Sequence, residues 1–327
     1  MKSCAGEALP MTPTPEEHWE LLRTLSSKEG PLRIDGATAT VSWPDAYVGG
    51  APLAQRRRLH KEILENLPLP PEVDRPRVLM TAGPPGAGKS RIVREELVRL
   101  GLRDDECLTV DPDAMKDELL KRLVVDGSYR ERLLPKEVLQ AEGTGHRFFP
   151  REMAALVHEE SSQLAKDLLR QAMDVGCHIV IDGVMANLRS TESTLKRLSV
   201  ADPDFAVTLL CVEVDKSGSR KRVQRRWQRG YEAALREVTN GSDPDHHLGG
   251  RFVPSEVNET IYDRKGPSAC VRVAQDVASN HSIVTGYRFF ITDEDEAPEL
   301  VKMEDRAPGG GWRHLDDVWR LVTKERT

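Results

Sequence analysis

The chain has 327 residues, 39% hydrophobic and 31% charged, enough apolar material for one large domain or two, which excludes disorder throughout. Its formal charge of -6 argues against holding nucleic acid by broad electrostatic attraction, so each basic cluster has to be weighed singly. Five widely spaced cysteines without a CxxC pair indicate neither a disulfide framework nor a zinc site, and no apolar run reaches the ~18 residues of a membrane span.

In chain order, MKSCAGEALPMTPTPEEHWE lacks the long apolar stretch of a secretory signal, so a cytoplasmic protein with reduced thiols is expected. PTPEEHWELLRTLSSK (13–28) and AQRRRLHKEILENL (54–67) place apolar residues at helical spacing, with a Gly- and Pro-containing segment between them. LPLPPEVDRP (67–76) cannot continue a helix, because prolines lack a donor and restrict the residue before them. A boundary is expected there, between an N-terminal helical extension (1–75) and a second domain (76–327).

After that break, short apolar runs alternate with helical patterns. VLMTAG, ECLTVDPD, HIVIDG, AVTLLCVEVD and YRFFITD read as strands; RIVREELVRL, MAALVHEESSQLAKDLLRQAMDV and RSTESTLKRLSV read as helices. Such alternation predicts an α/β fold, a mainly parallel sheet with helices on both faces. Ligands of such sheets bind beyond the carboxyl ends of the strands, where Asp113, Asp182 and Asp215 should gather.

The first strand runs into GPPGAGKS, and a helix follows. That order makes residues Gly83, Pro84, Pro85, Gly86, Ala87, Gly88, Lys89 and Ser90 a phosphate-binding loop and the fold P-loop NTPase-like. Backbone N–H groups would curl around anionic oxygens, Lys89 would bridge the β- and γ-phosphates, and the Ser90 hydroxyl would complete the shell of a magnesium ion. ATP and Mg2+ are the expected cofactors. In VDPDAMK, a proline between Asp111 and Asp113 keeps the backbone extended, so both carboxylates can project near the phosphates. Asp113 is the candidate base that accepts the proton of an acceptor hydroxyl, with Asp111 in support; a helix-cap role for Asp113 is the competing reading. Asp182, ending IVID, is a candidate for the metal shell.

DKSGSRKRVQRRWQRG (215–230) concentrates basic residues in an acidic protein and sets Arg222, Arg226 and Arg229 on one helical face, suited to the charge of a transferring phosphoryl group. Only Trp227 is there to stack on a base, so no nucleic-acid partner is expected. His246 and His247 sit in a polar loop with Asp243 and Asp245, but no third ligand has metal-site spacing. GWRHLDDVWRLV (311–322) puts Trp312, Leu315, Trp319 and Val322 on one stripe of a C-terminal helix.

Together, GPPGAGKS, VDPDAMK, IVIDG, the RRW at 225–227 and the RFVP at 251–254 resemble the zeta-toxin family of P-loop kinases, relatives of chloramphenicol phosphotransferase, over residues 77–292. The resemblance implies phosphates and magnesium on Lys89 and Ser90, Asp113 as base, and Arg226 and Arg251 bracing the transferred group. Charge clustering alone does not select Arg251. A substrate-binding glutamate is implied on the helix before IVIDG, at Glu159 or Glu160. Val184 stands where acid-Gly-Thr is common in the family. The family's implied acceptor is the 3′-hydroxyl of UDP-N-acetylglucosamine, and its implied partner is an antitoxin that places a helix over the nucleotide site. Residues 14–67 could serve as such a brake in cis, or as a stabilising cap. The alternatives to a small-molecule kinase are a polynucleotide 5′-hydroxyl kinase and a non-catalytic, nucleotide-gated interaction module.

Overall fold

The computed structural model describes residues 13–201, 205–293, 296–307 and 310–312. Helix α1 (Pro15–Leu25) begins at a capping box: the Thr14 hydroxyl accepts from the Glu17 N–H at 3.2 Å, and the Glu17 carboxylate accepts from the Thr14 N–H at 2.7 Å. A two-residue hairpin, β1 (Tyr47–Val48) and β2 (Ala51–Pro52), precedes α2 (Ala54–Glu65). Then come β3 (Arg77–Ala82), α3 (Lys89–Leu100), β4 (Cys107–Val110), α4 (Pro112–Val125) and α5 (Lys136–Gly143). A 3₁₀ segment, Pro150–Val157, leads into α6 (His158–Val175), so the helix expected from residue 153 onward is tighter in its first turns. The remainder is β5 (His178–Ile181), α7 (Leu188–Ala201), β6 (Ala206–Glu213), α8 (Lys216–Thr239), α9 (Ser255–Ile261), α10 (Ala269–Asn280), β7 (Val284–Ile291) and β8 (Glu299–Asp305).

Two compact units emerge, and they do not follow the break expected after residue 75. One gathers residues 13–54, 116–160 and 227–254; the other gathers 55–115, 161–226 and 255 onward, so α2 belongs with the sheet. The physical reason is burial. Leu22, Leu32, Trp43 and Tyr47 are all buried, as are Phe148, Phe149 and Tyr231 of the same unit.

In that first unit, Glu152 is 2% exposed and accepts from His18 Nε2 at 3.2 Å, Trp227 Nε1 at 2.8 Å and the Phe149 N–H at 2.9 Å. The His18 ring stacks on Tyr231 at 4.7 Å between centroids, and Trp19 meets Trp227 at 4.9 Å. The Trp of RRW is thus a core residue.

The second unit is built on a six-stranded sheet in the order β4-β5-β3-β6-β7-β8. The five expected strands run parallel, and β8, which the sequence reading did not anticipate, pairs antiparallel with β7. Alternate residues face opposite sides. Leu79, Val180, Leu210 and Val212 form a buried cluster with Ile92 and Leu97 of α3, while α10 packs on β6 and β7 and against α7. Cys107, Cys177, Cys211 and Cys270 are all buried, and burial pushes the Cys107 thiol up to about 11 and that of Cys270 to about 12, which leaves both inert near neutrality. Trp312 donates from Nε1 to the Ala278 carbonyl at 2.8 Å; Leu315, Trp319 and Val322 of the expected C-terminal helix lie outside the described residues.

Candidate active site

Gly86 and Gly88 have φ of 78° and 93°, a left-handed backbone open to glycine at little cost, and this curls the loop ahead of α3. A Cβ on Gly83 would stand 2.8 Å from the Val212 carbonyl oxygen, so the neighbouring strand β6 also demands glycine there. The loop is fastened from outside by the first turn of α8: the Ser219 hydroxyl donates to the Pro85 carbonyl at 2.8 Å. Nothing in the motif's spacing marks Ser219.

Lys89 Nζ donates to the carbonyls of Gly83 at 3.0 Å and Pro84 at 3.2 Å. Burial of the ammonium holds its pKa below the ordinary lysine value, opposed first by the charge of Asp182 and also by that of Asp113, with Arg226 acting in the same sense as burial. Lys89, Asp113, Asp182 and Arg226 therefore share one electrostatic neighbourhood at the ends of β3, β4 and β5 and on α8.

The two aspartates of VDPDAMK divide their labour. Asp111 Oδ1 accepts from the Asp113 N–H at 2.8 Å, and the Asp111 carbonyl accepts from the Met115 N–H at 3.2 Å, so Asp111 caps α4 with Pro112 in its first turn. The cap considered for Asp113 falls to its neighbour, and Asp113 is half-buried in the first helical turn. Asp182 Oδ1 accepts from the Thr81 hydroxyl at 2.6 Å, and Thr81 in turn accepts from the Gly183 N–H at 2.9 Å. Asp215 caps α8 through its contact with the Gly218 N–H and leaves the group of candidate acids.

Not every expected site residue belongs to this unit. Arg251, Glu159 and Glu160 lie in the other one. There Arg251 donates to Asp117 Oδ1 at 2.6 Å, and Arg151 grips the same carboxylate, 2.8 Å from NH2 to Oδ2. The sequence reading passed over Asp117, whose sole signal is its place one turn after Asp113 on α4. On α6, Glu160 is buried and Glu159 exposed, so Glu160 faces the interior. Within the basic run, Lys216 pairs with Glu259 at 2.6 Å, Arg220 pairs with the same carboxylate, and Arg222 donates to the Glu296 carbonyl at 2.7 Å. Much of that charge is spent inside the protein. Asp245, beside His246 and His247, is taken by Arg130 at 2.6 Å. Among the described residues no helix is long and apolar enough to cross a membrane.

A family model described as an AAA domain matches residues 78–241, half of the chain. No curated protein matches by sequence. Among solved structures, one described as the PezAT chromosomal toxin-antitoxin system of Streptococcus pneumoniae superposes with a TM-score of 0.46 at 13% identity, covering 83% of this chain and 93% of that one. The AvrRxo1-ORF1:-ORF2 structure with ATP gives 0.47 at 16%, covering 97% and 80%, and its native counterpart gives 0.48 at 15% with the same coverage. Likeness at this level leaves the ligands and partners of those proteins their own.

Proposed function

Because the chain belongs to the AAA domain family, with the phosphate loop at the head of its first sheet-bound helix, we propose that it is an ATP-dependent phosphotransferase acting on a hydroxyl group of a small molecule. One observation carries this reading: the Lys89 ammonium lies within the fields of two carboxylates, Asp113 and Asp182, and one guanidinium, Arg226. A nucleotide-binding switch needs the loop alone, whereas phosphoryl transfer also needs a base and a cation for the developing charge.

The chain's own groups divide as follows. The curled loop and the start of α3 hold the β- and γ-phosphates, and Lys89 exchanges its two loop carbonyls for phosphate oxygens. Asp113 accepts the proton of the attacking hydroxyl. Arg226 meets the charge that spreads over the transferring group, and Arg251 is proposed for the same task. The Ser90 hydroxyl and the Asp182 carboxylate are hard oxygen donors of the kind magnesium takes alongside phosphate. Bound there, the metal would neutralise charge on the β- and γ-oxygens. Thr81 holds the Asp182 carboxylate in place. Asp111 and Glu160 are proposed to contact the acceptor, and Glu159, being exposed, less directly. The sequence resemblance puts a nucleotide sugar such as UDP-N-acetylglucosamine first among acceptors and an antitoxin among partners.

The test is a transfer assay with γ-labelled ATP and magnesium, offered in parallel a metabolite extract and an oligonucleotide with a free 5′-hydroxyl. Label in a small molecule is expected. Label confined to the oligonucleotide would establish the polynucleotide kinase instead. Tight ATP binding without transfer to either would leave only the nucleotide-gated module.

A further inference from the structure

Gly86 and Gly88 give the phosphate loop its left-handed turns, and glycine leaves such turns free to uncurl unless something outside holds them. Both are covered from within the sheet unit. A Cβ on Gly86 would stand 3.1 Å from the Cβ of Arg222, so the stem of that arginine, on α8, lies where a side chain of residue 86 would go. A Cβ on Gly88 would stand 2.8 Å from the Cγ of Pro298, which ends the connection between β7 and β8.

The Arg222 guanidinium joins these two covers. Its Nη1 donates to the Thr292 hydroxyl at 3.1 Å and its Nη2 to the Glu296 carbonyl at 2.7 Å, so it fastens the connection two residues before Pro298. Thr292 is 3% exposed and anchored in turn: its N–H donates to the Glu213 carbonyl at 2.9 Å and its hydroxyl to the Glu296 carbonyl at 3.0 Å. Two nitrogens of the planar fork are thus engaged with oxygens of the protein itself, an arrangement that a single ammonium reproduces poorly. Across the curl beneath, the Ala87 N–H donates to the Pro84 carbonyl at 3.2 Å. A loop curled before its ligand arrives binds more tightly, because the apparent dissociation constant is the intrinsic one divided by the fraction of competent loop.

We propose that Arg222 is a positioning residue: with its stem on Gly86 and its head on the connection that sets Pro298 against Gly88, it clamps the phosphate loop in its curled form ahead of nucleotide binding. That the curl serves a triphosphate rests on the phosphotransferase reading; the clamp itself does not. Arg222→Met keeps the stem and removes the guanidinium. Pro298→Ala removes ring carbons at a half-buried position outside every helix and strand, where folding is not at stake. Two measurements on the full chain test the clamp: hydrogen exchange of the Ala87 N–H by NMR without nucleotide, and the dissociation constants of Mg·ATP and of inorganic triphosphate by calorimetry.

Each variant should speed the exchange and weaken both ligands about 10-fold, as expected when the competent fraction drops to roughly a tenth. The double variant should weaken them by less than the product of the single effects, since both changes release one strap. With ATP saturating, transfer by Arg222→Met should run within about twofold of wild type, because the bound ligand then holds the curl. The proposal falls if Ala87 exchange or triphosphate affinity keeps its wild-type value in either variant, or if the single effects multiply in the double variant. It also falls if Arg222→Met loses rate at saturation, which would make Arg222 a contact of the transferring group. A wild-type chain that binds neither ligand yet shows the exchange response would retire the phosphotransferase reading and keep the clamp. Binding and transfer without the exchange response would do the reverse.

Discussion

A carboxylate as enclosed as Glu152 needs donors, and they come to it from a helix, an indole and the backbone of Phe149. His18 then reaches past this acid to a second imidazole, with Nδ1 to Nδ1 of His146 at 3.0 Å, so one of the two nitrogens must be a bare acceptor. Burial lowers the His146 pKa below its usual 6.5, and His18 adds to the effect while Glu17 and Glu152 oppose it. A histidine depressed in the folded state gives stability that is present above the unfolded value and lost as pH falls through the folded one, because the unfolded chain binds the extra proton. The urea midpoint should therefore drop more for the wild type than for His146→Gln between about pH 7.5 and about pH 5.5, on either side of the unperturbed value. Equal drops would show that this ring is not the sensor. None of this was legible in the sequence, since His18 and Glu152 stand far apart in the chain and only tertiary packing makes them partners. The phosphate loop was legible for the opposite reason: its glycines, lysine and serine act through backbone that they shape themselves. The VDPD pair fell between these cases. Its position was readable, but that Asp111 supplies the cap follows from the helix start at Pro112.

At the scale of elements, the five parallel strands and the helices between them were readable because a strand covered on both faces is a nearly unbroken apolar run. The edge strand β8 was hidden in ELVKMED, which is largely charged, and its attachment depends on a buried cation. Arg288 on β7 is 1% exposed, donates to Asp305 Oδ1 of β8 at 2.7 Å, and stands 3.2 Å from Glu96 of α3, itself 4% exposed. One guanidinium thus ties helix, central sheet and edge. Removing Glu96 takes one charged partner from Arg288 but leaves it Asp305 and the Glu304 carbonyl, so the loss is that of a buried charge-assisted contact, about 1.5–3 kcal/mol. Glu96→Ala should lower the unfolding free energy by that amount in urea titration. A change under about 0.5 kcal/mol, the scale of an inconsequential surface substitution, would mean that the pair contributes nothing. Helix α1 is likewise built in, through His18 and Trp19, which favours the stabilising cap over the brake for this part of residues 14–67.

For the molecule as a whole, the division into units cuts across the sequence at 54, 115, 160, 226 and 254, where a reading of prolines had offered the single break near 75. Prolines report where a helix must stop and say nothing about which apolar faces will later meet. The groups proposed to meet the nucleotide, Lys89, Asp113, Asp182 and Arg226, all fall in the sheet unit, so their proposed roles can be tested by substitution within it. The most direct test compares wild type with Asp113→Asn in two readings taken on the same samples, the Mg·ATP dissociation constant and the rate of γ-phosphoryl transfer to the acceptor. If Asp113 is the base, the rate falls on the order of 10² to 10⁴-fold while the dissociation constant stays within a few-fold. Transfer at the wild-type rate by Asp113→Asn would contradict the account.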